Sequence, residues 1–90
     1  MVTIEDALDR RTYEAHVDGV LAGILRYARA SGRITLIHTE VLPAFEGQGV
    51  ASALVRHALA EARRDGRKVV PACPYVQFYL AKHPEEVVEG

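Results

Sequence analysis

The sequence predicts a small α+β domain, a mostly antiparallel sheet of about four strands with two helices in the order β-β-β-α-β-α. Three observations carry this. Residues 12–28 contain two strand-like runs meeting at Asp18-Gly19, the pair that best accepts the positive φ angles of a tight hairpin. Residues 34–41, ITLIHTEV, are rich in β-branched side chains. From Val50 onward, Val50, Leu54, Val55, Ala58, Leu59 and Ala62 recur at helical spacing, while Arg56, His57, Glu61, Arg63 and Arg64 take the other side.

The elements follow in order. Residues 1–11 are expected to be a loose N-terminal segment, and 85–90 a loose acidic tail, leaving 12–84 as the domain. ASGR at 30–33 is a second turn. The ITLIHTEV strand has apolar side chains at both parities, which predicts cover on both faces. Gly66 ends the helix. RKVVPAC supplies one more short strand whose pairing Pro71 helps to end, and PYVQFYLAKH reads as a brief helix opened by Pro74. Phe78 is expected in the core.

Composition excludes several function classes. Ninety residues, 49% hydrophobic and 26% charged, suit one domain. Eleven Lys and Arg against twelve Asp and Glu give a net charge of -1, and the basic residues are scattered, which disfavours generic nucleic-acid binding. Cys73 is the single cysteine, so no internal disulfide forms. No stretch has the length of a membrane span or the order of a signal peptide, so no membrane partner is expected and a reducing cytoplasm is the expected location. His16, His57 and His83 lack metal-ligand spacing, and no metal is expected. No serine-centred elbow supports triad hydrolysis.

The informative stretch is VLPAFEGQGVAS, residues 41–52. A strand, a short glycine loop and a helix form an anion site, because the first helical N–H groups have no internal partners and the helix dipole favours negative charge there. A nucleotide P-loop would need Gly-Lys-Ser/Thr, but Val50 and Ala51 follow Gly49. The dinucleotide fingerprint would need Gly or Ala where Ser52 stands. EGQGVA keeps the x-x-G-x-A half of the Q/R-x-x-G-x-G/A signature with which GNAT-type N-acetyltransferases hold the coenzyme A pyrophosphate. With HTEV upstream and VVPACPYVQFYLAKHP downstream, the chain resembles the compact stand-alone GNAT-like N-acetyltransferase domain proteins of the YjdJ type over residues 12–84. It departs from the wider superfamily in carrying Glu46 where Gln or Arg is preferred, and a carboxylate beside a pyrophosphate repels it unless turned away.

The resemblance implies a GNAT-like fold and a cofactor site for acetyl-CoA. In it, backbone N–H groups around Gln48, Gly49, Val50, Ala51 and Ser52 receive the pyrophosphate, and Gly47 and Gly49 keep the approach free of side chains. The strand end near Val41 pairs with the pantetheine arm where it splays from RKVVP. The last helix, from Pro74 and with Tyr75 and Tyr79, lies beside the coenzyme.

Three residues are candidates for catalysis. Cys73 lies where the acyl sulfur arrives and, as a thiolate before a helix, can carry the acyl group; otherwise it is a small buried hydrophobe. His38 and Glu40, two apart on one strand, share a face, and either can deprotonate an incoming amine. Glu40 is the first choice; a core imidazole and a solvated carboxylate are the alternatives. The expected function is transfer of acetyl from acetyl-CoA to an unidentified amine acceptor, directly or through Cys73. A non-catalytic coenzyme A-binding or sensing module is the alternative, and an interaction domain without cofactor a third. A homodimer is one arrangement that adds stability to so small a domain.

Overall fold

The computed structural model describes residues 1–89. It contains β1 (Val2–Ala7), β2 (Thr12–Val17), β3 (Val20–Ala30), β4 (Arg33–Val41), α1 (Val50–Asp65), β5 (Lys68–Pro71) and α2 (Pro74–Lys82), with single 3-10 turns at Pro43–Phe45 and Pro84–Glu86. The strands form one sheet in sequence order, antiparallel except for β4 and β5. Parallel neighbours need a long crossover, and α1 supplies it. This is the expected α+β fold with one strand more.

That strand is β1. Its alternation is that of a half-covered edge strand, with Val2 and Ile4 against the core and Thr3 and Glu5 outward. It pairs with β2 from Val2↔Val17 to Ala7↔Thr12, so residues 1–11 are not a loose segment. The acidic tail is anchored too. Val88 is 6% exposed, and its carbonyl accepts the Val69 N–H at 2.9 Å.

The hairpin turn forms where expected, with Asp18 and Gly19 at φ 50° and 83°. β4 is covered on one face, not two. Leu36 pairs with Tyr27 and His38 with Arg26, which leaves Ile37 as an unpaired bulge residue. A bulge reverses side-chain parity. Ile34 and Leu36 therefore enter the core before it, Thr39 and Val41 point inward after it, and Ile37, His38 and Glu40 are exposed.

All six apolar positions predicted for α1 are buried. Its leucines and valines each contribute about 1.5–3 kcal/mol of burial. Gly66 closes the helix in the left-handed conformation, its N–H donating to Arg63 and that of Arg67 to Ala62. On the polar side, His57 is half-buried and not on a solvated face. It meets Glu61 at 3.1 Å and lies edge-on to Tyr13. Glu61 accepts the Tyr13 hydroxyl at 2.9 Å, while Arg29 donates to Asp6 at 2.8 Å and to Tyr13 and Tyr27 at 3.0 Å each. This network ties β1, β2, β3 and α1 together.

Candidate functional site

Between β4 and α1 the chain makes the glycine loop. Gly47 and Gly49 have φ of 81° and 77°, which side-chain-bearing residues rarely adopt. A Cβ at Gly47 would meet no protein atom, so the local demand is the left-handed backbone, and the open space beside it is the approach to the helix. The first α1 hydrogen bond runs from Ala53 N–H to the Gly49 carbonyl, leaving the N–H groups of Val50, Ala51 and Ser52 outside the helical ladder. Ser52 Oγ donates to the Gly49 carbonyl at 3.2 Å and braces the turn.

These donors face a cleft of about 330 Å³ lined by Val41, Phe45, Glu46, Gly47, Gly49, Val50, Ala51, Ser52 and Tyr75. Seven of these nine are among the predicted cofactor residues. Glu46, the departure from the superfamily preference, is exposed and is among the lining residues. Gln48 and Pro74, predicted to contribute, do not line the cleft. Tyr79 does not either: it is 5% exposed, its hydroxyl donates to the Glu86 carboxylate at 3.0 Å, and its ring packs against that of His83 at a tilt of 36°. Its hydroxyl resists ionisation because of burial and the Glu86 contact. Phe78, expected in the core, is 56% exposed under the Lys82 ammonium.

β4 and β5 pair only from Arg33↔Lys68 to Leu36↔Pro71. Beyond that, the Cys73 N–H donates to the Leu36 carbonyl at 2.8 Å as the chain leaves for α2. The edge of β4 from His38 to Val41 is therefore without a β5 neighbour and leads to the cleft at Val41. An extended amide-bearing ligand can add to such an edge as a strand would.

The bulge at Ile37 sorts the catalytic candidates onto two sides of β4. Thr39 points to Cys73, with Oγ1 and Sγ 3.4 Å apart. His38 and Glu40 point the other way, Nε2 and Oε1 3.4 Å apart, both exposed. Cys73 is the N-cap of α2 and 2% exposed. Burial raises its pKa, but the Thr39 hydroxyl and the backbone N–H groups of Val76, Tyr75 and Thr39 outweigh burial and hold the thiol below its ordinary value.

Gly23 is a residue that sequence reasoning passed over. A Cβ there would lie 2.7 Å from the Glu40 carbonyl oxygen, 3.2 Å from Val50 and 3.3 Å from the Val41 α-carbon. Its missing side chain lets β4 and the start of α1 close on β3. The only sequence signal was a glycine inside a strand pattern. Away from the cleft, two surface groups, Glu5-Glu14-His16 and His83-Glu85-Glu86, bring imidazole and carboxylates within ligand reach of one another.

A family model for GCN5-related N-acetyltransferases matches residues 12–89. The chain belongs to this family. As a family member it is similar to mouse protein NATD1, 31% identical over 85 residues that cover 92% of this chain and 77% of NATD1. Its fold is that of the ribosomal-protein-S18-alanine N-acetyltransferase from Escherichia coli, with TM-score 0.66 and 21% identity over 82% of this chain and 52% of that one. AAC(6')-Iy, in complex with the bisubstrate analog CoA-S-monomethyl-acetylneamine, aligns with TM-score 0.53 and 23% identity over 88% of this chain and 61% of that one. The chain thus spans little more than half the length of these solved structures. The family supports acetyl transfer in general. No helix among the described residues is long and apolar enough to cross a membrane.

Proposed function

We propose that this chain is an acetyl-CoA-dependent N-acetyltransferase acting on an amine, with residues 12–84 as the coenzyme-binding unit and β1 and the tail bracing it. The observation that carries the reading is one continuous path. Free helix donors at Val50, Ala51 and Ser52 open onto the cleft, and the cleft continues into the unpaired edge of β4. The residues present suit the coenzyme: N–H donors at a helix N-terminus for a pyrophosphate, and an extended edge for the amides of pantetheine.

Acetyl-CoA supplies an activated thioester; transfer forms the amide C–N bond, breaks the C–S bond and releases the CoA thiol. The chain contributes orientation and charge. The glycine loop holds the phosphates, and the β4 edge near Val41 aligns the arm and directs an N–H at the acyl oxygen. The Glu46 carboxylate must turn away from the phosphates for them to seat. Glu40 takes the proton from the acceptor ammonium, directly or through water, because a protonated amine has no lone pair to attack with. His38, in contact with Glu40, restrains that carboxylate.

A second reading rests on Cys73. Its lowered pKa and its place at the α2 N-cap favour thiolate attack on the thioester, with CoA leaving and the acyl group passing on to the amine. Acetyl-transfer assays on an amine panel separate the routes. For the direct route, Glu40→Gln lowers kcat about 100-fold or more, and Cys73→Ala leaves it within a few-fold. Acetylated Cys73 by mass spectrometry, with activity lost in Cys73→Ala, replaces the direct route by the second. Coenzyme binding with no turnover on any amine leaves the coenzyme-binding module.

A further inference from the structure

The acceptor side of β4 carries a pocket of its own, of about 180 Å³, lined by Leu21, Gly23, Ile24, Glu40 and Leu42. It is distinct from the coenzyme cleft, with which it shares no lining residue. Ile24 and Glu40 are direct cross-strand partners and project on the same face, away from Thr39 and Cys73. Two irregularities build the pocket. Ala15 pairs with Gly23 and His16 with Leu21, so Ala22 is an unpaired bulge residue that swings Leu21 toward the end of β4. The Ala22 carbonyl then accepts the Leu42 N–H at 2.8 Å and fixes the second leucine opposite the first.

From this juxtaposition we infer that the pocket takes the acceptor, and that the acceptor is a monoamine on an aliphatic stem. The inference rests on the reading of Glu40 as the proton acceptor and adds the substrate class. Leu21 and Leu42 are 40% and 39% exposed, so the walls offer apolar surface that a ligand would dry. Glu40 is the one charged group in the lining, and its carboxylate matches a single ammonium. Size matches as well, since an apolar cavity of about 150 Å³ admits a six-carbon ring.

The same features select against the other amine classes. A diamine or polyamine would carry its second ammonium onto the leucine walls, toward His38 and Arg26, the next cross-strand pair on this face, or toward Glu14 beside Ile24, whose carboxylate Arg10 already holds at 2.7 Å. A peptide lysine would bring backbone amides to walls with no hydrogen-bonding side chain but Glu40.

The test is titration of the folded protein, with and without CoA, by n-hexylamine, putrescine, n-hexanol and an N-acetyl-lysine amide, followed by backbone amide NMR shifts. The expected result is a saturable hexylamine response centred on Leu21, Ile24, Glu40 and Leu42. Putrescine, hexanol and the lysine amide should bind at least tenfold more weakly. Leu21→Ser, at an exposed position that does not threaten folding, should weaken hexylamine about fivefold while acetyl-CoA affinity stays unchanged. A CoA-binding protein in which hexylamine shifts no residue of this face, or in which putrescine or the lysine amide binds as well, overturns the inference and leaves the acetyltransferase reading intact. Loss of acetyl-CoA binding itself would instead count against that reading.

Discussion

A methyl group added at Gly23 would sit 2.7 Å from the Glu40 carbonyl oxygen, well inside van der Waals contact, so β4 must move to admit it. Gly23→Ala is predicted to destabilise the fold by about 1–3 kcal/mol, the usual range for overpacking. It should also weaken acetyl-CoA binding, because the displaced backbone at Glu40 and Val41 is the edge that meets the arm; urea unfolding and calorimetry would measure the two effects. Cys73 gives a second residue-level prediction. Its thiolate absorbance should rise at a pH below that of an ordinary thiol, and Thr39→Val should move the midpoint upward by removing a donor to the thiolate. A Thr39→Val midpoint equal to that of the wild type would discount the hydroxyl. Gly47 and Gly49 were legible as residues because an anion loop leaves a local signature in sequence. Gly23 was not, since its purpose is the approach of Glu40 and Val50, distant in the chain.

At the scale of elements, the polar network around Arg29 holds the edge strand β1 to the rest. Arg29→Met should cost about 2 kcal/mol by taking the guanidinium from Asp6 and Glu61, less than for a fully buried pair because both carboxylates keep tyrosine partners and some water. The network also predicts a pH dependence. Burial and the Asp6 contact push the Tyr27 hydroxyl up to about 12 from the ordinary 10.0, and burial with Glu61 raises Tyr13 in the same direction. A folded-state pKa above the unfolded one contributes stability that is full below pH 10 and is lost as pH rises toward 12. Urea midpoints should fall over that window, and more shallowly in the Tyr13→Phe, Tyr27→Phe double variant. Helix α1 was readable almost residue by residue, because helical periodicity is local. Strand β1 alternates correctly, yet six residues of alternation gain meaning only from a partner strand, and Val88 is a single apolar anchor in an acidic run. In β4 the parity change at Ile37 imitated a strand buried on both faces. Tyr79 and Phe78 exchanged expected roles because a nine-residue helix does not reveal its buried side by period alone.

For the molecule as a whole, a ninety-residue domain holds little spare stability, so a ligand that fits only the folded state should register in melting. At a hundredfold excess over Kd, acetyl-CoA should add about 2.7 kcal/mol, raising Tm by roughly 10 °C or more. An unchanged Tm would mean that the cleft does not take the coenzyme. On this reading the glycine loop and the α1 N-terminus hold the coenzyme phosphates. Calorimetric titration with acetyl-CoA and CoA, on the wild type and on Gly49→Glu, tests it most directly. Saturable binding of both is expected of the wild type and none of Gly49→Glu, which adds bulk and charge at the donors. Binding that survives Gly49→Glu, or a folded wild type that binds neither ligand, would contradict it.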